Sequence, residues 1–159
     1  AVTRMDTGQR ALDTAAAMLG RKMYTCKELC DRLIKKGFLK EYAEEAVARL
    51  IEAGYLDDFR YAQLYIEDAV RLGAKGMYRI RQELYQKGIS DSIIAKAMEE
   101  SETDERAALY EYVAARHLFD HIHSRRDLEK VKARLVRRGY SLRDIQSVIE
   151  KAEISLEEI

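Results

Sequence analysis

Three glycines in this chain are separated by the same interval of 51 residues: Gly37, Gly88 and Gly139. A leucine stands four residues before each of them, a lysine or arginine stands directly before, and an apolar residue follows. Glycine adopts the left-handed backbone that ends a helix at low cost, and the apolar residue after it packs back onto the last helical turn. The interval therefore predicts an internal repeat in which one helix of each copy ends at its glycine.

The apolar positions on both sides of these glycines keep the same register through all three copies. The leucines before the glycines are Leu33, Leu84 and Leu135, and the matched positions of the following helix are Ala43, Ile94 and Ile145, then Ala46, Ala97 and Val148. A hydrophobic phase held at helical spacing predicts that each copy buries the corresponding faces of two successive helices.

Helix N-caps are predicted twelve residues before each glycine, at Thr25, Gly76 and Asp127. Thr25 has Glu28 three residues later, which is the pattern of a capping box.

Further caps are predicted at Ser90 and Ser141, which precede the helix after the glycine in the second and third copies. Leu39 holds the same position in the first copy but has no capping oxygen. Asp58 is predicted to cap the helix that follows the first copy. A longer helix is predicted in the third copy, running through Leu109, Val113 and Leu118.

The absence of proline from all 159 residues favours helices throughout. We therefore predict an all-α fold of three tandem three-helix repeats, each helix-turn-helix-like and about 51 residues long. The chain is predicted to be one repeat domain, 1–159, with units at about 6–54, 55–101 and 102–155.

Composition argues against several classes of protein. No apolar run approaches the roughly 20 residues that a membrane span needs, and no signal-peptide pattern is present. Two cysteines are too few for a secreted disulfide scaffold, so we expect a reducing cytoplasm. The chain begins at Ala1 without an initiator methionine, which leaves open whether residues precede it.

No catalytic or metal-binding motif can be assembled from the spacing of residues. The loop 73–76 lacks the Gly-Lys-Ser/Thr ending of a phosphate-binding loop. Cys26 and Cys30 lie one helical turn apart on an apolar face, where a reduced cysteine is a small hydrophobe. His117 and His121 have the spacing of a zinc pair, but no nearby acid completes a motif. We expect a protein that is not an enzyme and that has no cofactor and no metal.

Basic residues are the candidate functional feature, because the segment 121–143 has eight of them against two acids while the whole chain is neutral. A stripe of this kind suits a phosphate backbone or an acidic protein surface. The alternative is that a cation in the last turn of a helix offsets the helix dipole, a contribution of about 0.3–1 kcal/mol. The candidate basic surface comprises Lys75, Arg79, Arg81, Arg126, Lys130, Arg134, Arg137 and Arg138.

The ten tyrosines are a second possible binding feature. Tyr61 and Tyr65 share a helix face, as aromatic rings that stack on bases would. We favour the interpretation that the tyrosines lie at the rim of the core with their hydroxyls outward.

The middle of the chain resembles the RecX regulatory proteins, a family that inhibits the RecA recombinase. The resemblance is clearest in 54–62, which reads Gly-Tyr-Leu-Asp-Asp-Phe-Arg-Tyr-Ala. It continues through the pairs Lys75-Gly76, Arg79-Ile80, Glu83-Leu84 and the triplet Lys87-Gly88-Ile89. In the first copy it is supported by Glu28-Leu29, Arg32-Leu33 and Lys36-Gly37-Phe38, so that it covers about 12–149.

This resemblance implies an elongated, curved array of three-helix units that acts as a cytoplasmic monomer in recombination and DNA repair. It implies binding to the RecA–single-stranded-DNA filament and inhibition of its extension, ATPase and strand-exchange activities. Whether the protein also touches the DNA, and whether it caps filament ends or blocks the groove, stays open. The alternative is a helical-repeat protein that binds nucleic acid directly through its basic surface.

Overall fold

The computed structural model describes residues 4–152 of the chain, with side chains from residue 6 onward. The regular secondary structure of this part of the chain is all helix, with no strand, which confirms the predicted all-α class. Its helices are α1 (Arg4–Leu19), α2 (Cys26–Lys35), α3 (Lys40–Glu52), α4 (Asp58–Arg71), α5 (Met77–Gln86), α6 (Asp91–Glu99), α7 (Glu105–Ala115), α8 (Arg125–Arg137) and α9 (Leu142–Lys151). None of these helices is long and apolar enough to cross a bilayer.

The predicted register of the repeat is confirmed. All three leucines before the glycines are fully buried, as are the matched alanine, isoleucine and valine positions of α3, α6 and α9. Gly37, Gly88 and Gly139 all have positive φ, at 107°, 89° and 98°. In each copy the N–H after the glycine donates to the carbonyl of the leucine, so that the three helices end in the same way.

Several of the predicted caps are present. Thr25 accepts from the Glu28 N–H while the Glu28 carboxylate accepts from the Thr25 N–H, which completes the capping box. Ser141 accepts from the Asp144 N–H at the start of α9. Leu39 precedes α3 without a side-chain cap, as its lack of an oxygen requires.

The prediction that Asp127 is an N-cap is wrong. The helix α8 begins one turn earlier, with Ser124 as its N-cap accepting from the Asp127 N–H at 3.1 Å. The Asp127 carboxylate accepts from the His123 N–H at 3.0 Å, and this hydrogen bond is the main reason why its pKa is lowered. Ser124 and Asp127 are both capping residues and stand three positions apart. The helix begins after Ser124 because the Asp127 carboxylate can then accept from the His123 N–H, which precedes the cap.

The prediction that Asp58 caps α4 is also wrong. Asp57 provides the cap, because its Oδ1 accepts from the N–H groups of Phe59 and Arg60. Asp58 turns instead toward α2, where its Oδ1 accepts from the Cys26 N–H at 2.8 Å. It thereby satisfies a first-turn donor of a helix that is distant in sequence.

The predicted long helix through Leu118 ends early. The helix α7 stops at Ala115, and His117 has a positive φ of 53°. Histidine tolerates the left-handed region better than most residues, and its Nδ1 lies 2.9 Å from Asp120 Oδ2. The sequence contains no glycine or proline here to announce this turn.

Contacts divide the chain into two compact units. Of the described residues, the first unit contains 4–63 together with 84–97, and the second contains 64–83 together with 98–152. This division differs from that of the sequence repeats, because α4, α5 and α6 each contribute to both compact units. The repeat boundaries at 6–54, 55–101 and 102–155 stay a prediction.

Each compact unit has its own hydrophobic core. In the first unit α1 packs on α2 and α3, around a core that includes Ala11, Ala15, Leu29, Leu33 and Leu50. In the second unit α9 packs on α7 and α8, and the core there includes Leu109, Val113, Leu128, Leu135 and Ile145. The side chains that make these cores recur at helical spacing, as the sequence predicted.

In the first compact unit the glycine turn after α5 lies against the N-terminal end of α2. The Lys87 carbonyl accepts from Thr25 Oγ1 at 2.6 Å. The Lys87 ammonium lies 3.5 Å from Glu28 Oε2 and 5.9 Å from the centre of the Tyr61 ring. Gly88 lies so close to the Lys27 stem that a Cβ would overlap it. We call this arrangement a turn-to-cap contact.

The second compact unit contains an equivalent turn-to-cap contact one repeat later. The Gly76 N–H donates to the Arg138 carbonyl at 2.8 Å, and the Tyr78 N–H donates to the Gly139 carbonyl at 3.2 Å. The Arg138 guanidinium lies 4.9 Å from the centre of the Tyr112 ring. Arg138 follows Lys87 by 51 residues and Tyr112 follows Tyr61 by 51, so that the cation–aromatic pair is itself repeated.

The helix α8 departs from this pattern at its N-terminal end. The helices α2 and α5 begin directly after the residue that donates a hydrogen bond to the turn, which is Thr25 for α2 and Gly76 for α5. The corresponding residue of α8 is Asp127, which lies inside the first turn because the helix begins at Arg125. Arg125 and Arg126 therefore precede the position at which a turn would lie.

Candidate basic surface

All eight residues of the candidate basic surface lie in the second compact unit, on α5, α8 and the segments beside them. Their environments divide seven of them into two groups. The first group is exposed on one side of α8, and the second is held by carbonyl or carboxylate groups of the protein. Arg81 belongs to neither group, because it is exposed on α5.

The first group follows the length of α8. We call it the α8 stripe, and it consists of Arg126, Lys130, Arg134 and Arg137, all exposed. At 3.6 residues per turn these four positions fall within an arc of about 80°, and they span about 16 Å along the helix axis. Among the described residues none forms an ion pair with Arg126, Lys130 or Arg137. Arg134 donates to the Tyr112 hydroxyl at 3.1 Å.

Arg138 belongs to the second group, because its guanidinium turns inward. Its Nε donates to the Ala74 carbonyl at 2.7 Å, and an Nη donates to the Gly73 carbonyl at 2.8 Å. These carbonyls belong to the segment that follows α4, where Ala74 has a positive φ of 47°. Arg138 therefore holds this segment in place while its guanidinium lies over the Tyr112 ring.

Lys75 and Arg79 converge on one carboxylate, that of Glu83. The Lys75 ammonium donates to both Glu83 oxygens, the Tyr65 hydroxyl donates to Oε1 at 2.7 Å, and Arg79 Nε lies 3.5 Å from Oε2. Partial burial raises the pKa of Glu83, but the hydrogen bonds from Lys75 and Tyr65 outweigh burial and lower this pKa overall. Arg81 is exposed and its guanidinium reaches the Met98 sulfur at 3.7 Å.

Glu83 gives a pH-dependent contribution to stability with a definite sign. Its pKa is lower in the folded state than its ordinary value of 4.5, so that its contribution is present above that value and is lost as the pH falls through the folded-state pKa. We expect Glu83→Gln to lower the urea midpoint at pH 7, and we expect the difference from the parent to shrink as the pH falls below 4.5. The exposed pair Glu67–Arg71 provides the control, since Glu67→Gln should change the midpoint little at either pH. An undiminished difference at low pH would contradict this role for Glu83.

Glu105 supports the same region from α7. Its Oε1 accepts from the Met77 N–H at 2.9 Å and thereby satisfies a donor in the first turn of α5. Burial raises the pKa of this carboxyl group despite that hydrogen bond. No local sequence pattern predicts this role of Glu105, because its partner lies 28 residues away.

Within residues 4–152 the histidines and cysteines are not part of a metal-ligand cluster. In the described part of the chain no three residues of the types His, Cys, Asp and Glu are placed to hold a metal ion together. Burial, assisted by the neighbouring Asp58, raises the pKa of the Cys26 thiol to about 12. A thiol that stays protonated is a poor metal ligand and a poor nucleophile, which fits the hydrophobic role expected of Cys26.

The arrangement suits binding to an extended array of negative charges. The α8 stripe presents cations at intervals of about 4–6 Å along a rigid helix, which is comparable with the spacing of successive phosphates. Carboxylates on a protein surface could form ion pairs with the same stripe. Lys75, Arg79 and Arg138 are engaged within the protein and contribute to its fold.

This chain matches known family domains, whole protein sequences and solved structures. The family described as "RecX, first three-helix domain" matches 11–50, and "RecX, second three-helix domain" matches 57–98. The regulatory protein RecX of Trichlorobacter lovleyi is 34% identical over 145 residues, which cover 86% of this chain and 92% of that protein. That of Prosthecochloris aestuarii is 30% identical over 146 residues, covering 90% of this chain and 93% of that protein. The crystal structure of RecX from Lactobacillus salivarius superposes with a TM-score of 0.80 at 27% identity, covering 94% of this chain and 98% of that one.

Proposed function

The chain belongs to the RecX family of regulatory proteins, and from this membership we propose that it binds the RecA–single-stranded-DNA filament and inhibits it. The inhibited activities are filament extension, ATP hydrolysis and strand exchange. The role is regulatory and needs no catalytic residue, cofactor or metal. The protein acts as a monomer in the cytoplasm.

The observation that supports this proposal is the α8 stripe. A nucleoprotein filament presents a regular array of phosphates and acidic side chains, and a row of exposed cations on a rigid helix is complementary to such an array. The exposed members Arg126, Lys130 and Arg137 supply attraction that weakens with added salt. Lys75, Arg79 and Arg138 contribute indirectly, by holding the segments beside α5 and α8.

Charge reversal on the stripe tests the proposal. We expect Arg126→Glu with Lys130→Glu to reduce inhibition of the RecA ATPase, so that about tenfold more protein is needed, because two attractive contacts become repulsive. Circular dichroism should show unchanged helical content, since both side chains are exposed. The measurement is ATP hydrolysis by RecA on single-stranded DNA, titrated with each variant.

Arg49→Glu with Arg60→Glu is the matched control, because it makes the same change in net charge at two exposed arginines of α3 and α4. It should inhibit as the parent does. Equal inhibition by the stripe variant would show that the stripe is only a solvated face. Tight binding of the parent to bare single-stranded DNA, with RecA unaffected, would instead favour direct nucleic-acid binding and would contradict the proposed function.

A further inference from the structure

A cluster of exposed apolar side chains surrounds the Gly139 turn. Tyr78 is 70% exposed, Val136 is 46% exposed and Leu142 is 72% exposed. Val136 precedes Gly139 by three residues, Leu142 follows it by three, and the Tyr78 N–H donates to the Gly139 carbonyl. Val136 and Leu142 therefore flank this turn of the second compact unit, and Tyr78 of α5 starts from backbone that is hydrogen-bonded to it. Large apolar groups grouped in this way on a surface typically mark an interaction site.

The turn that carries these side chains is rigid. Its backbone is fixed by the hydrogen bonds of Gly76 and Tyr78 to the carbonyls of Arg138 and Gly139. The Arg138 guanidinium holds the segment that precedes Gly76. A rigid surface loses little conformational entropy when a partner binds, which favours affinity.

The exposed charged side chains beside this cluster are all basic, namely Arg81, Arg134, Arg137 and Arg143, whereas Lys75 and Arg79 are paired with Glu83. The segments 75–81 and 133–145 contain seven basic residues and one acidic residue, Asp144. Asp144 is already paired with Arg106, whose Nε lies 3.2 Å from its Oδ1. The basic residues include the exposed Arg137 and Arg143, which stand next to Val136 and Leu142 in sequence.

The combination of tyrosine, aliphatic and arginine side chains distinguishes this surface from the α8 stripe. Protein–protein interfaces are enriched in tyrosine and arginine around an apolar centre. A phosphate backbone needs cations and gains little from exposed leucine or valine. The apolar members therefore favour a protein partner, and the arginines require that this partner be acidic.

We infer that the surface formed by Tyr78, Val136, Leu142, Arg137 and Arg143 docks an acidic segment of a protein partner that inserts apolar side chains between the arginines. This inference rests on the proposed function, because it places that segment on the protein component of the RecA filament. The α8 stripe and this surface share Arg137 but have different roles. The stripe supplies long-range attraction, and the apolar surface discriminates the filament from bare DNA.

The test compares two double variants that each remove one exposed tyrosine and one exposed leucine. Tyr78→Ala with Leu142→Ala changes the proposed surface. Tyr55→Ala with Leu39→Ala is the control, at positions 74% and 64% exposed in the first compact unit. Binding is measured at matched salt to RecA filaments assembled on polythymidine and to bare polythymidine.

We expect the Tyr78/Leu142 variant to bind the filament about tenfold or more weakly, with binding to bare polythymidine unchanged, and we expect the control to match the parent. Arg143→Glu should also weaken filament binding. If the Tyr78/Leu142 variant loses helical content, Leu142→Gln alone provides the same comparison at one exposed position.

Three results would overturn the inference. Filament binding that is unchanged, or weakened equally by the control, would show that this surface is not the docking site. Loss of binding to bare polythymidine in the same proportion would identify nucleic acid as the occupant. Unchanged filament binding by Arg143→Glu would exclude an acidic partner segment. A parent protein that fails to bind filaments at all would instead refute the proposed function, and this inference with it.

Discussion

Alanine substitution should destabilise the protein clearly more at Gly139 than at Gly37. Gly37 has a positive φ but nothing within 4 Å of an added Cβ, so Gly37→Ala should cost about 1–2 kcal/mol for the left-handed backbone alone. Gly139 has the same kind of φ, and its Cβ would lie 2.5 Å from the Arg79 nitrogen and 2.9 Å from the Gly76 oxygen. Gly139→Ala should therefore cost about 3 kcal/mol or more, since overpacking against backbone adds to the conformational cost.

Gly76 separates the two causes, because an added Cβ there would overlap the Gly139 carbonyl while the φ lies outside the left-handed range. Gly76→Ala should cost about 1–3 kcal/mol from overpacking alone. Urea denaturation of the three variants and the parent measures these differences. Equal losses at Gly37 and Gly139 would show that the turn-to-cap contact adds no steric requirement.

Arg138 and its neighbour Arg137 should respond in opposite ways to the same substitution. Arg138→Gln removes two charge-assisted hydrogen bonds to the carbonyls of Gly73 and Ala74, together with the contact on Tyr112, and should cost about 2 kcal/mol. Arg138→Lys should restore only part of this, because an ammonium lacks the planar fork that reaches both carbonyls.

Arg137→Gln should change stability by less than about 0.5 kcal/mol, since this side chain is exposed. The reverse pattern is expected for inhibition of the RecA ATPase, where Arg137 contributes through the α8 stripe. The measurements are urea midpoints and ATPase titrations of the same preparations. A destabilised Arg137→Gln with an unaffected Arg138→Gln would contradict the assignment of these two arginines.

The sequence predicted the parts of the fold that depend on local periodicity. Leu33, Leu84 and Leu135 are buried and the glycine after each has positive φ, because a helix with one apolar face and a left-handed stop is encoded within about ten residues. The start of α8 was mispredicted, since Ser124 and Asp127 are both good caps and their competition is decided by which backbone donors each can reach.

The candidate site was less accessible to sequence reasoning. Basic residues were grouped by charge and helical spacing, which does not distinguish the exposed Arg137 from Arg138. The partners of Arg138 lie 64 and 65 residues away, and no local pattern encodes a contact at that distance. One signal was present nevertheless, because Tyr61 and Tyr112 differ by the same 51 residues as Lys87 and Arg138. A comparison of the copies position by position would have predicted these cation–aromatic pairs.

The early start of α8 has a consequence for self-assembly. The turn-to-cap contact links successive copies head to tail. If the first and the last copy could each form a further contact of this kind, one molecule could add to another without limit. In α8 the position that would receive another turn lies inside the helix, behind Arg125 and Arg126. The extra helical turn therefore removes a helix start at which the turn of a second molecule could add in the same way. We expect the turn-to-cap contact to form within one chain and not between chains.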